Sequence, residues 1–188
     1  TGVTPRAAPI PGSERANVLS YVDVLAGNAS VGAKVAIIGA GGIGFDVAEF
    51  LVEGAPSPTT NVSRWTHEWG IDMTLAARSG LLKPAPEAPE RQVWLLQRTP
   101  GKPGKRLNKT SGWVHRSTLK AKRVTMLGGV SYERIDDDGL HIRIGNDAQV
   151  LPVDTIVICA GQKSNRALHA QFAATGMTAH LIGGADVA

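Results

Sequence analysis

Apolar and polar positions change period several times along this chain, and each change predicts an element. Residues 17–27, NVLSYVDVLAG, place apolar side chains at helical spacing and end at Gly27, so a helix is expected there. KVAIIG, residues 34–39, is short, apolar and closed by glycine, the mark of a buried parallel strand. The following GIGFDVAEFLV sets Ile43, Val47, Phe50 and Leu51 on one face of a helix. QVWLLQ, residues 92–97, predicts the next strand, and TSGWVHRSTLKAK a helix with Thr110 or Ser111 near its N-cap. VTMLG is a further short strand. Alternation then runs through two turn signals, Asp136-Asp137-Asp138-Gly139 and Gly145-Asn146-Asp147, predicting an antiparallel meander over 130–151. A last buried strand follows in DTIVICAG. The predicted fold is a Rossmann-like three-layer α/β domain, with a parallel sheet on strand 34–39, a covering helix, and the meander on the opposite face.

Residues 54–91 interrupt this rhythm. Pro56, Pro58, Pro84, Pro86 and Pro89 fence off a central stretch, NVSRWTHEWGIDMTLAARSGLL, that is expected to be helical. An insertion of this length between a helix and the next strand is unusual and often functional. Trp65 and Trp69 stand four apart and share a helix face, for packing first and base stacking second.

Composition narrows the classes. With 43% hydrophobic and 19% charged residues the chain is an ordinary globular domain. Its formal charge of +4 suits an anionic small ligand and argues for no nucleic-acid partner. The single cysteine, Cys159, excludes a disulfide framework and reads as a buried strand residue rather than a nucleophile. No stretch is long and apolar enough to span a membrane and the start is no signal peptide, so the expected location is cytoplasmic, with no membrane partner. The chain opens without methionine and stops at HLIGGADVA as a new strand-and-turn pattern begins, so an excised piece is expected. The five histidines show no metal-ligand spacing, and the acidic triplet lacks the alternate-position spacing of a calcium loop, so no metal site is expected.

The chemistry concentrates in Gly39-Ala40-Gly41-Gly42-Ile43-Gly44. In a dinucleotide turn the first glycine permits the sharp bend and the second leaves bare backbone for the pyrophosphate. The third lets the helix close onto the strand, and the helix N-terminus offers its N–H groups to the phosphates. The required context, strand before and helix after, is present. A ribose 2′-hydroxyl calls for an acid at the end of the second strand, a 2′-phosphate for arginine. Gln97 stands at that position and Arg98 follows, with Lys102, Lys105 and Arg106 behind it, so the reading is NADP(H). Ala160 and Gly161 end the last strand, where a doubly wound sheet places its ligand. His115 and Arg116 either help hold phosphate or belong to a surface helix.

Several longer stretches resemble a known family. LSYVDVLAG, VGAKVAIIGAGGIGFDVAEFL, EWGID, GWVHRSTL, GVSYERIDDDGLHI, IVICAGQKSNRAL and HLIGGADVA together resemble the C-terminal part of the bacterial NADPH-dependent 2,4-dienoyl-CoA reductases, essentially end to end. That resemblance implies a flavoenzyme with FMN and an iron–sulfur cluster on a TIM-barrel portion, followed by an FAD domain into which an NADPH domain is inserted. It implies hydride transfer from NADPH to FAD, then electron flow through the cluster to FMN and the dienoyl thioester of fatty-acid oxidation. On that basis residues 1–14 are a crossover from the FAD domain, 15–158 the NADPH-binding domain, and 159–188 the return. The partner is then the remainder of the same polypeptide. The resemblance matches Gly39, Gly41 and Gly44 to the NADPH turn, Arg98 to the 2′-phosphate site, and Asp186 to an aspartate near the flavin ribityl chain. In the wider group of two-dinucleotide flavoproteins a glutamate two residues after the third glycine lies near the nicotinamide amide. Asp46 holds that position one methylene shorter, and either reaches the amide or serves the helix face. No catalytic residue of the barrel is in this chain, so the piece alone is expected to be inactive. Two rivals stand: a nucleotide-holding domain of a related flavoenzyme such as an amine dehydrogenase, and a basic binding module that uses residues 98–109.

Overall fold

A computed structural model describes residues 2–54 and 56–188. Its centre is a five-stranded parallel sheet of β2 (Val18–Ser20), β9 (Thr155–Ile158), β3 (Lys34–Ile38), β4 (Gln92–Leu96) and β5 (Thr125–Leu127), in that spatial order. Alternation along each strand sorts side chains to two faces. Val35 and Ile37 of β3, Val93 and Leu95 of β4, and Val157 of β9 face one core. That core is closed by α1 (Tyr21–Leu25), α2 (Gly42–Val52) and α4 (Gly112–Ala121), through Val24, Phe45, Val47, Leu51 and Leu119. Ala36, Ile38, Leu96, Ile156 and Ile158 face the other core. There they meet Val130, Ile135, Leu140, Ile142 and Leu151 of the meander β6 (Val130–Asp136), β7 (Gly139–Ile144) and β8 (Asp147–Leu151). This is the three-layer arrangement the sequence predicts. Each large side chain in these layers, fully removed from water, contributes about 1.5–3 kcal/mol.

The first expected helix is in fact two elements. Val18–Ser20 is an edge strand paired parallel with β9, and the helix is only Tyr21–Leu25, capped by the Ser20 side chain, which accepts a hydrogen bond from the Val22 amide. On α2 the expected stripe is also revised. Phe50 is 52% exposed, whereas Phe45 and Ala48 are buried beside Val47 and Leu51. Ser111 is the N-cap of α4 as expected, but its side chain makes no capping hydrogen bond; just before it Asn108 accepts from the Thr110 amide at 2.8 Å.

Among the described residues of the insertion, Val62–Trp69 alone forms an α-helix, α3, which Gly70 stops in the left-handed conformation. The Trp65 and Trp69 rings are tilted neighbours with centroids 6.0 Å apart. Beyond Gly70 the chain is held by the Asp72 carboxylate, which accepts from the Thr74 and Ala77 amides, and by a bridge between Ile71 and Leu81. The whole segment is pinned to the end of α4 by a buried ion pair, Lys122 Nζ to Glu68 Oε1 at 2.7 Å.

A separate two-stranded ribbon joins β1 (Gly2–Pro5) antiparallel to β10 (Gln162–Asn165). It is followed by α5 (Ala167–Ala174). Among the described residues, the closing HLIGGADVA forms a single 3-10 turn at Gly183–Ala185 and no strand. No helix among the described residues is long and apolar enough to cross a membrane.

Candidate functional site: the glycine turn and the loop after β4

At the end of β3 the chain turns at Gly39, whose φ of +114° is open to few side-chain-bearing residues. A Cβ there would lie 2.4 Å from the Cys159 carbonyl oxygen, so the turn is pressed against the end of β9. A Cβ on Gly44 would lie 1.8 Å from the Gly39 carbonyl oxygen, which is how closely α2 sits on the strand that precedes it. Gly41 and Gly42 differ: apart from their chain neighbours and the helix's own backbone, no heavy atom among the described residues lies within 4 Å of a Cβ built on either. That open space stands over exposed backbone at the N-terminus of an 11-residue helix. Gly41 is its N-cap and supplies no side-chain cap, and no acidic residue occupies the first turn, so the positive end of the helix dipole is uncompensated. The residues present fit a pyrophosphate: bare backbone, free space and uncapped N–H groups in one place. Ala40 and Ile43 pack on the helical core beside it.

Strand order brings the second half of the site alongside. β4 is the parallel neighbour of β3, with Ile38 opposite Leu96, so Gln97 and Arg98 leave the sheet next to the glycine turn. The insertion loops out without disturbing this adjacency. Arg98 is exposed and has no hydrogen bond or ion pair among the described residues. Its charge reaches the nearby Tyr132, whose hydroxyl is buried with no partner among the described residues. Burial raises the Tyr132 pKa, and Arg98 offsets part of that rise. Lys105 is exposed on the same loop.

The Gln97 side chain turns back on the residues that follow it. Its Nε2 donates to the Thr99 carbonyl at 2.8 Å and to the Gly101 carbonyl at 3.2 Å, so the amide is folded onto its own loop. Arg116 likewise grips the loop, donating from Nη1 to the Gly104 carbonyl at 2.8 Å. Gly104 lies so close to Phe45 of α2 that a Cβ would meet the ring at 2.6 Å. His115 joins α4 to α2 through Glu49, Nδ1 to Oε1 at 2.8 Å. Burial raises the Glu49 pKa, and the His115 hydrogen bond opposes it. His115 and Arg116 thus tie helices and loop together. Asp46 is exposed on α2, near enough to Glu49 to add to the rise in its pKa.

Ala160 and Gly161 follow β9 at the same edge of the sheet. Beside them Arg6 donates to the Gln162 carbonyl at 2.9 Å, and the Gln162 amide donates to the Tyr21 hydroxyl at 3.1 Å. A cavity of about 270 Å³ opens here, lined by Arg6, Leu19, Ser20 and Ile158 among others. Asp186 belongs to a different neighbourhood: Arg166 of the ribbon end binds the Ala185 carbonyl at 2.9 Å and the Asp186 carbonyl. Among the described residues, its partners include none of Gly39–Gly44. Cys159 is buried, and desolvation pushes its thiol up to about 12, so it is no nucleophile.

Sequence spacing missed one cluster of ligand-type atoms, Asp136, Asp138 and His141, which lie within 4.8 Å of one another. The hairpin folds His141 back on Asp136, Nε2 to Oδ1 at 2.7 Å, while Arg134 donates to the other oxygen at 2.9 Å. The histidine bond first, then Arg134 and the Asp138 amide, hold the Asp136 carboxyl down at about 2. The carboxylate is thus already satisfied by protein donors, and the cluster closes the turn.

Known proteins share this fold. The family model described as pyridine nucleotide-disulphide oxidoreductase matches residues 1–183. A metal reductase of Desulforamulus reducens is 24% identical over 169 residues, covering 90% of this chain and 24% of the relative. Among solved structures, a 2-naphthoyl-CoA reductase in complex with 2-naphthoyl-CoA is similar with a TM-score of 0.66 at 19% identity, over 90% of this chain and 20% of that one. The 6-hydroxypseudooxynicotine amine oxidase of Pseudomonas geniculata gives 0.63 at 15% identity, over 93% and 23% respectively. The HOCl-induced flavoprotein disulfide reductase of Escherichia coli gives 0.56 at 17%, over 91% and 31%. The chain thus spans between a fifth and a third of the length of these relatives.

Proposed function

The chain belongs to the pyridine nucleotide-disulphide oxidoreductase family, and from that premise we propose that it is the NADPH-binding module of a 2,4-dienoyl-CoA-reductase-like flavoenzyme. In this reading the bare backbone of Gly41 and Gly42 takes the pyrophosphate, and Arg98 with Lys105 takes the ribose 2′-phosphate. Ala160 and Gly161 border the nicotinamide. Bound there, NADPH supplies a hydride to an FAD held by the remainder of the same polypeptide, which also carries FMN and an iron–sulfur cluster. The residues of this chain bind and orient; none of them breaks a bond. The setting proposed is the cytoplasm, and the chain alone reduces no dienoyl-CoA.

The observation that carries the NADP(H) reading is Arg98, unpaired among the described residues at the end of the strand next to the glycine turn, with no acid at position 97. A carboxylate there would repel a phosphate dianion, whereas a guanidinium can grip it with two hydrogen bonds. The likeness to a 2-naphthoyl-CoA reductase supports an enzyme that reduces the acyl part of a CoA thioester. The likeness to an amine oxidase supports the rival reading, a domain that holds an adenine nucleotide and passes no hydride. Titration calorimetry with NADP⁺ and NAD⁺ separates them. The proposal expects NADP⁺ to bind more tightly and Arg98→Ala to remove about 10- to 100-fold of that advantage, the worth of one charged hydrogen bond. Equal affinities, or an advantage that survives Arg98→Ala, would overturn it.

A further inference from the structure

We propose that Gln97 is a positioning residue that sets cofactor preference without touching the cofactor, by clamping loop 98–104 onto Gly128 and Gly129. The inference rests on the NADP(H) reading and deepens it. The Gln97 side-chain amide donates to two carbonyls of the loop it precedes, Thr99 at 2.8 Å and Gly101 at 3.2 Å. The same Thr99 carbonyl accepts from the Gly129 amide at 3.0 Å, so the loop is tied at one oxygen from two sides. Gly128 completes the seat. A Cβ on it would lie 2.0 Å from the Gly101 carbonyl oxygen and 3.4 Å from the Gln97 Nε2. The backbone anchors of the clamp are equally fixed, since the Gln97 amide donates to Leu127 at 2.9 Å and the Gln97 carbonyl accepts from Val130 at 3.0 Å. Residue 97 is therefore rigid at its root, and both amide hydrogens are spent on the loop that presents Arg98 and, further on, Lys102 and Lys105.

The chemistry explains why a glutamine belongs here. A carboxylate of the same shape would face two carbonyl oxygens with acceptors only, lose both bonds and push the loop open. An amide keeps the loop closed and leaves the region next to Arg98 without negative charge. One side chain thus does two things that both favour a 2′-phosphate, and one of them works through loop geometry. Arg116, which holds Gly104 from the other end at 2.8 Å, makes the loop a strap fixed at two points.

Two variants separate this from a direct ribose contact. Gln97→Met keeps the length of the side chain and removes the donors; Gly128→Ala leaves residue 97 intact and fills the seat. In the ligand-free protein the clamp predicts that exchange of the Gly129 amide with solvent speeds up by about tenfold or more in Gln97→Met, since the acceptor oxygen loses its second tether. In calorimetry both variants lose NADP⁺ affinity by about tenfold with NAD⁺ affinity unchanged. The double variant loses no more than the worse single one, because the two act on one device. Unchanged Gly129 exchange in Gln97→Met overturns the clamp. So does a loss of NAD⁺ and NADP⁺ affinity in equal measure, which marks a direct ribose contact. The exchange arm needs no nucleotide, so a wild-type chain without NADP⁺ preference would sink the functional reading and still leave the clamp to be judged.

Discussion

Replacing Lys122 by methionine is the sharpest available test of how the insertion is attached. The Lys122 ammonium sits 2.7 Å from Glu68, with side chains only 6% and 8% exposed. Lys122 also donates to the Glu87 carbonyl at 3.3 Å, and the Glu87 amide donates to Glu68 at 3.0 Å. Removing the ammonium leaves a buried carboxylate with one backbone donor. Such a loss costs about 3–5 kcal/mol, because the remaining charge keeps its desolvation penalty and loses its compensation. Against a total stability on the order of 5–15 kcal/mol this is severe. With a urea slope of about 2 kcal/mol/M, the unfolding midpoint should fall by roughly 1.5–2.5 M. The double variant Lys122→Met, Glu68→Leu should recover most of that loss, since two apolar groups of similar volume bury without penalty. A midpoint that moves by less than about 0.5 M in the single variant, the scale of a solvated surface pair, would show that water reaches the ions and that the insertion is not sealed there.

Three further outcomes follow from the same contacts. Gly44→Ala must push α2 off the Gly39 carbonyl, so it should destabilise the fold by about 1–3 kcal/mol and weaken nucleotide binding together, read by urea unfolding and calorimetry; a neutral result would refute the close approach. The Asp136 carboxyl, held at about 2 in the fold against 3.8 without its partners, lends stability that is complete above pH 4 and lost as pH falls toward 2. Asp136→Asn should flatten the stability profile in that window, and an unchanged acid limb would contradict the hairpin bonds. Cys159, with its thiol pushed up to about 12 by burial, should resist alkylation at pH 8 until the protein unfolds; rapid labelling of the native chain would mean the end of β9 is open.

The parts of the fold that were legible in the sequence are those whose signal is local. KVAIIG and the glycines after it carry strand, turn and helix within a few residues, and the two turn signals of the meander set the pairing beside each turn, although a bulge between Tyr132 and Arg134 shifts the far end of β6. What was hidden depends on partners distant in sequence. Val18–Ser20 is a strand only because β9 lies beside it, and its three residues run straight into Tyr21–Leu25, so the pair imitates one helix. Phe50 fits the expected stripe on α2 by spacing, yet Phe45 points to the core, because the burying surface comes from β4 and from Gly104. The insertion shows its prolines in the sequence but not its anchor, since Glu68 and Lys122 are 54 positions apart. At the site, residue types identified the glycine turn and Arg98, whereas the orientation of Gln97 depends on where the Thr99 and Gly101 carbonyls lie.

The central claim is that the glycine turn and the loop after β4 form one NADP(H) site. It is tested most directly by following backbone amide resonances of the chain as NADP⁺ is added. The account predicts that the largest shifts fall on Gly41, Gly42 and Ile43 and on Arg98 to Lys105, with smaller ones at Ala160 and Gly161, and that NAD⁺ leaves the second group nearly still. Shifts concentrated elsewhere, with those amides unmoved by NADP⁺, would contradict it.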